Sequence, residues 1–249
     1  SRVIAVSFPD TTMQIRQLFD PESSTFSYLV WDNSTREAAL IDPVQSQVHR
    51  DIQLIRELRL ILKYTLETHV HADHVTGSGV LRKTLNSIVV VHEDSQTKCA
   101  DVQIKGGDFI PLGTKRINVI NTPGHTNSDI SYLVHGAVFT GDSLLIRGCG
   151  RTDFQSGNAS LLYQSVRQQL FTLPGDTLVY PGHDYQGRCC STIAEEMAHN
   201  PRLGLDKSLD DFVDIMSNLK LAPPKHIHEA LPSNLRCGIS GKDSAMAVL

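Results

Sequence analysis

Between Thr68 and His74 the chain reads Thr-His-Val-His-Ala-Asp-His, three imidazoles and a carboxylate within seven positions. His69, His71 and His74 cannot share one face of a strand or helix, so they converge only where the backbone turns between the two. Eleven histidines spread over 249 residues rarely cluster in this way. Downstream, His125, Asp142 and His183 stand in Thr-Pro-Gly-His, Thr-Gly-Asp and Pro-Gly-His contexts. Together with His69, His71, Asp73 and His74 they supply five imidazoles and two carboxylates. Such a set suits zinc, iron or manganese, and the lack of cysteine in it argues against a structural zinc. Gly77, Gly124, Gly141 and Gly182 lie beside these residues and permit tight turns.

The surrounding pattern shows what must position them. Thr25–Trp31 and Glu37–Ile41 flank Asp32-Asn33-Ser34 and read as a β-hairpin. Val48–Leu60, with Ile52, Ile55 and Leu58 on one face, reads as an amphipathic helix. A buried strand, Ile61–Leu66, leads into the histidine cluster; Val75–Leu85 resumes a helical pattern and Ile88–Val91 is a short strand. In the second half, strand Ile117–Ile120 precedes His125, and hairpin Ile130–Val134/Ala137–Thr140 precedes Asp142. Asn158 caps a helix reaching Leu170. Strand Thr177–Tyr180 precedes His183, and Ser208 with Asp211 forms a capping box opening a helix to about Leu219. Each candidate ligand therefore sits just past a strand end, along one edge where loops gather.

Composition bounds the rest. Hydrophobic residues make up 40% and charged residues 20%, as in a soluble globular protein large enough for a substantial core. A net charge of -4 argues against general nucleic-acid affinity. No apolar run reaches the length of a membrane span. The five cysteines, Cys99, Cys149, Cys189, Cys190 and Cys237, are odd in number and irregular in spacing. They do not read as a disulfide framework, and a reducing compartment fits them best. The expected organisation is one domain over residues 1–237, including a short C-terminal helical extension from about 186, with 238–249 a flexible tail.

The His-x-His-x-Asp-His signature followed by a distant His, Asp and His resembles the metallo-β-lactamase superfamily, over about Thr25 to Tyr185. The resemblance implies an αββα sandwich, two mixed sheets flanked by helices, with the metal in a cleft at one sheet edge. In dinuclear members the residues matching His69, His71 and His125 hold one metal and those matching Asp73, His74 and His183 the other, bridged by the residue matching Asp142. The stretch Phe139–Phe154 is similar to one shared by glyoxalase II and the persulfide dioxygenases. Arg151-Thr-Asp-Phe-Gln155, Tyr180-Pro-Gly-His-Asp-Tyr185 and Asn200-Pro-Arg-Leu203 look like the dioxygenase branch. Glyoxalase II carries a sizeable C-terminal helical domain, whereas only 66 residues follow His183 here, with room for two convincing helices.

The implied enzyme is an iron-dependent persulfide dioxygenase that oxidises glutathione persulfide with O2 to sulfite and glutathione. The resemblance implies one Fe(2+) per chain on His69, His125 and Asp142. His71, Asp73, His74 and His183 then orient those ligands, or hold a second metal in the alternative, a dinuclear glyoxalase II-like hydroxyacylglutathione hydrolase. It also implies a mitochondrial homodimer. For the anionic substrate the cationic and hydroxyl candidates are Arg151, Tyr185 and Arg202. Their rivals are an Arg151–Asp153 pair, a surface charge at Arg202 and ordinary packing of Tyr185; Cys149 reads as a small buried residue.

Overall fold

The computed structural model describes residues 13–222 and 226–239. Its first sheet runs in the order β1 (Met13–Asp20), β2 (Thr25–Asp32), β3 (Glu37–Ile41), β4 (Ile61–Leu66), β5 (Ile88–His92) and β6 (Val102–Ile104). The pairs from β1 to β3 are antiparallel and those from β3 to β6 parallel. Parallel neighbours need a crossover; α1 (Val48–Glu57) connects β3 to β4, and α2 (Ser78–Leu85) connects β4 to β5. The second sheet runs β7 (Phe109–Leu112), β8 (Lys115–Asn121), β9 (Ile130–Val134), β10 (Ala137–Gly141), β11 (Leu178–Pro181) and β12 (Ser191–Thr192). Only its β10–β11 pair is parallel, and α3 (Ala159–Ser165), continued by a wider π turn to Leu170, makes that crossover.

The period of two along β2 explains the layering. Phe26, Tyr28 and Val30 point one way, into a core shared with Ile117, Val119, Tyr132 and Phe139 of the second sheet. Leu29 and Trp31 point the other way, against Val48 and Ile55 of α1 and Leu81 of α2. Every position of β2 is buried as a result. On the far side Val138 and Val179 pack against Leu162 of α3 and Phe212 of α5 (Leu209–Ser217). Each such aliphatic side chain contributes about 1.5–3 kcal/mol of transfer free energy. The result is the expected αββα sandwich.

Local signals held well. Asn158 Oδ1 accepts from Leu161 N at 2.9 Å, and Ser208 and Asp211 cap each other. The sequence reading left out β1, β6, β7 and β12, the edge strands of the two sheets, whose shortness or partly exposed positions blur any alternation. Helix α2 starts at Ser78 rather than Val75, because Thr76 is already bridged to Val44 and its hydroxyl engages Glu67. The stretch beyond His183 holds three described helices, α4 (Ile193–His199), α5 and α6 (Ile227–Asn234), one more than expected.

The cysteine reading needs correction. Cys99 and Cys237 form a disulfide across 138 positions. Spacing gave no hint because α6 brings the pair together: Cys237 follows it and offers its carbonyl to Gly79 at the start of α2. Of the expected tail, Gly238 accepts from Gln45 Nε2 at 2.7 Å; 240–249 lie outside the described residues.

Candidate metal centre

Four strand ends deliver the predicted ligands: β4 leads to His69, β8 to His125, β10 to Asp142 and β11 to His183. The two sheets thus both contribute. Two glycines make the approach possible. A Cβ on Gly150 would lie 2.8 Å from His125 Nδ1, and one on Gly182 would lie 2.7 Å from Asp142 Oδ1. Backbone bonds hold both loops: Gly150 N donates to the Asp142 carbonyl and Gly182 N to that of Gly141.

His69, His125 and Asp142 bring one donor atom each within 4.8 Å of one another. Their outer bonds decide which atoms face inward. Thr68 Oγ1 donates to Asp42 Oδ2 at 2.7 Å, so it accepts from His69 Nδ1 at 3.0 Å. His125 Nδ1 donates to the Arg151 carbonyl at 2.6 Å. Both histidines therefore keep an Nε2 lone pair for a ligand role, the arrangement by which outer partners orient metal-binding imidazoles. Burial, reinforced by His71 and His125, lowers the His69 pKa far below the usual value and keeps that lone pair free. Asp142 gives Oδ1 to His183 Nδ1 at 2.6 Å and turns Oδ2 toward His125 Nε2 at 3.5 Å. Burial opposes ionisation of Asp142, yet His183, bonded to its Oδ1, holds its pKa well below the usual range. Two imidazoles and one carboxylate converging on a cleft fit a divalent metal ion.

Asp73, His74 and His183 are committed to one another. Asp73 Oδ2 collects Thr25 Oγ1 at 2.9 Å, His74 Nδ1 at 3.0 Å and His183 Nε2 at 2.9 Å. His183 thus donates from both nitrogens; burial works against its charge, but Asp142 and Asp73 raise its pKa well above the usual value. His71 belongs to two further groups, with Asp73 and His74 and with Asp42 and Glu67. Its Nε2 lies 3.0 Å from Asp42 Oδ1 and 3.5 Å from Glu67 Oε2, while His71 Nδ1 and His74 Nε2 are buried with no hydrogen-bond partner. Neither His71 nor His74 lines the main cleft, whereas His69, His125 and Asp142 do.

Sequence reasoning passed over three residues that shape this centre. Thr25, fully buried, bonds Asp73 and lies 3.3 and 3.2 Å from His74 and His183. Asp42 anchors both Thr68 N and Thr68 Oγ1. Asn234 donates to the carbonyls of His71 and His74 and accepts from Thr76 N. Asp42 did carry a signal, since it directly follows the apolar strand β3.

The cleft measures about 620 Å³, a size that suits a small-molecule ligand. Arg151, Tyr185 and Arg202 all line it. Arg151 grips Asp153 through Nε at 2.7 Å and Nη2 at 2.8 Å and donates to the Ala222 carbonyl. Its side chain thus holds the loop, as the rival reading had it, while its backbone orients His125. Arg202 Nη1 donates to the Cys149 carbonyl at 2.9 Å. Tyr185 is 75% exposed, its ring parallel to that of His183 at 6.1 Å. Cys149 is buried, which pushes its thiol up to about 11.

The chain matches the family described as metallo-beta-lactamase superfamily over residues 20–183. It is 50% identical over 227 residues to the mitochondrial persulfide dioxygenase ETHE1 of Homo sapiens, covering 90% of this chain and 89% of that one. The crystal structure of ETHE1 from Myxococcus xanthus superposes with a TM-score of 0.88 at 54% identity, covering 91% of this chain and all of the other. The cytoplasmic hydroxyacylglutathione hydrolase of Arabidopsis thaliana is 38% identical over 170 residues, 64% of either chain. This kinship and the converging histidines and aspartates imply a metal cofactor. The chain belongs to the metallo-β-lactamase superfamily and, within it, to the persulfide dioxygenase family.

Proposed function

We propose that His69, His125 and Asp142 hold one ferrous iron per chain and that the enzyme oxidises glutathione persulfide. The overall change is glutathione persulfide plus O2 plus water to glutathione plus sulfite. The observation that carries the reading is the division of labour at Asp142, one oxygen spent on His183 and the other facing the His69–His125 pair. Bound by these three residues, iron would supply the redox chemistry that lets O2 oxidise the persulfide sulfur, as two-histidine, one-carboxylate sites do.

The chain's own residues do the rest. Thr68 and the Arg151 carbonyl fix the two imidazole tautomers. His183, clamped between Asp73 and Asp142, holds the carboxylate in place. Arg202, on the cleft wall, keeps N–H groups for the anionic substrate. Among the described residues no helix is long and apolar enough to cross a membrane. A mitochondrial location follows the name of the human relative, and a homodimer is carried over from the family resemblance.

Anaerobic reconstitution with Fe(2+), followed by O2 uptake and sulfite release with glutathione persulfide, tests the proposal. The expected result is one iron per chain, sulfite formed in step with O2 consumed, and no thioester hydrolysis. Two metals per chain with rapid hydrolysis of S-lactoylglutathione would overturn it in favour of the dinuclear hydrolase.

A further inference from the structure

Four arginines line the cleft: Arg147, Arg151, Arg188 and Arg202. A guanidinium carries five N–H donors, so what each already bonds shows which can still take a ligand. Arg147 Nη1 is spent on Glu196 and Ser191, and its Nη2 lies 3.6 Å from Glu195. Arg151 is spent on Asp153 and the carbonyls of Leu221 and Ala222. Arg202 commits only Nη1.

Arg188 differs from all three. Its Nε at 2.9 Å and Nη2 at 2.8 Å both engage Asp184 Oδ1. Asp184 is buried, and its Oδ2 accepts the backbone N–H groups of Gln186 at 2.9 Å and Arg188 at 2.7 Å. The loop from 184 to 188 therefore closes on itself and holds the guanidinium by one edge. Among the described residues, no hydrogen bond or ion pair engages Nη1. Asp184 directly follows His183, so this clamp is built on the same loop as the metal centre. A guanidinium fixed in this way has lost its rotamer freedom in advance, which favours the planar, paired hydrogen bonds that a carboxylate accepts.

We propose that Arg188 is a substrate-binding residue that takes a free carboxylate of the persulfide's peptide body, and that it sets a preference for carboxylate-bearing persulfides over neutral ones. The inference rests on the persulfide reading above. Glutathione offers two carboxylates, and Arg188 and Arg202 are the two cleft arginines held by the side chain through a single residue each, whereas Arg147 faces two glutamates and Arg151 is bonded to three residues. Binding through Arg188 works by directed hydrogen bonds more than by net charge, because Asp184 already balances the cation.

Steady-state kinetics of the iron-loaded wild type, Arg188→Gln and Arg188→Lys, with glutathione persulfide and the persulfide of glutathione diethyl ester, tests this. Arg188→Gln is expected to raise KM for the acid roughly ten- to hundredfold, the worth of a hydrogen bond to a charged group, with kcat and iron content retained. The wild type's preference for the acid over the diester should collapse in that variant, and Arg188→Lys should restore part of it. Equal losses on both substrates would show that Arg188 only braces Asp184 and would overturn the proposal, as would an unchanged preference. Calorimetric binding of glutathione and its diethyl ester to the same proteins needs no turnover. If the wild type consumes no O2 with either persulfide, the dioxygenase reading fails, and the calorimetry alone decides the role of Arg188.

Discussion

Two sets of the same residue types lie side by side in this molecule. His69, His125 and Asp142 bond outward to Thr68, to the Arg151 carbonyl and to His183, and each keeps one donor atom facing the cleft. Asp73, His74 and His183 bond to one another, with three donors gathered on Asp73 Oδ2, and of their ring nitrogens only His74 Nε2 is left unpartnered, away from the cleft. Residue type is therefore a poor guide to metal loading. What counts is which atoms the protein has already used, because a carboxylate oxygen or ring nitrogen satisfied inside the fold must give up that bond to bind an ion.

The contrast breaks most sharply at Asp142. Asp142→Ala should abolish both bound iron and sulfite production, measured by elemental analysis and oxygen uptake; retained turnover would remove Asp142 from the ligand set. His183→Ala should do less, since it takes away the tether and leaves the ligand. Iron affinity should fall roughly 10–100-fold and recover at high iron concentration, whereas permanent loss would place His183 in direct contact with metal. Asn234→Ala touches the loop from behind. It leaves the carbonyls of His71 and His74 and the N–H of Thr76 unpaired and should cost about 3 kcal/mol in urea unfolding.

Smallest of all is the effect expected at Cys149, which lines the cleft without joining either set. With its thiol pushed up to about 11 by burial, almost no thiolate is present near neutral pH. Iodoacetamide near neutral pH should therefore label the exposed Cys189 and Cys190 and spare Cys149 until the protein unfolds. Labelling of Cys149 in the native protein would mean that the cleft wall opens.

Much of the site was legible because its information is local. An apolar strand pattern ends and a ligand stands just beyond it, after a Gly or Pro turn at His125, Asp142 and His183 and after Glu67-Thr68 at His69. Caps at Asn158 and Ser208 were legible for the same reason. The roles of Thr25 and Asn234 were not, since they depend on partners 48 to 163 positions away. The Cys99–Cys237 bond was hidden in the same manner. Arg188 was missed because nothing in its neighbourhood shows that Asp184 would hold one edge of its guanidinium and leave the other bare. The separation of open from closed donors is likewise a property of the packed loops, invisible in a list of histidines.

Asn234 fastens the histidine loop from 160 positions downstream of His74. On a ribosome, at about 5–20 residues per second, the fastening residue emerges roughly 10–30 s after the loop it secures. The histidines are thus synthesised well before the residue that locks their loop. Order of manufacture, and not only final geometry, is written into where the chain keeps its lock.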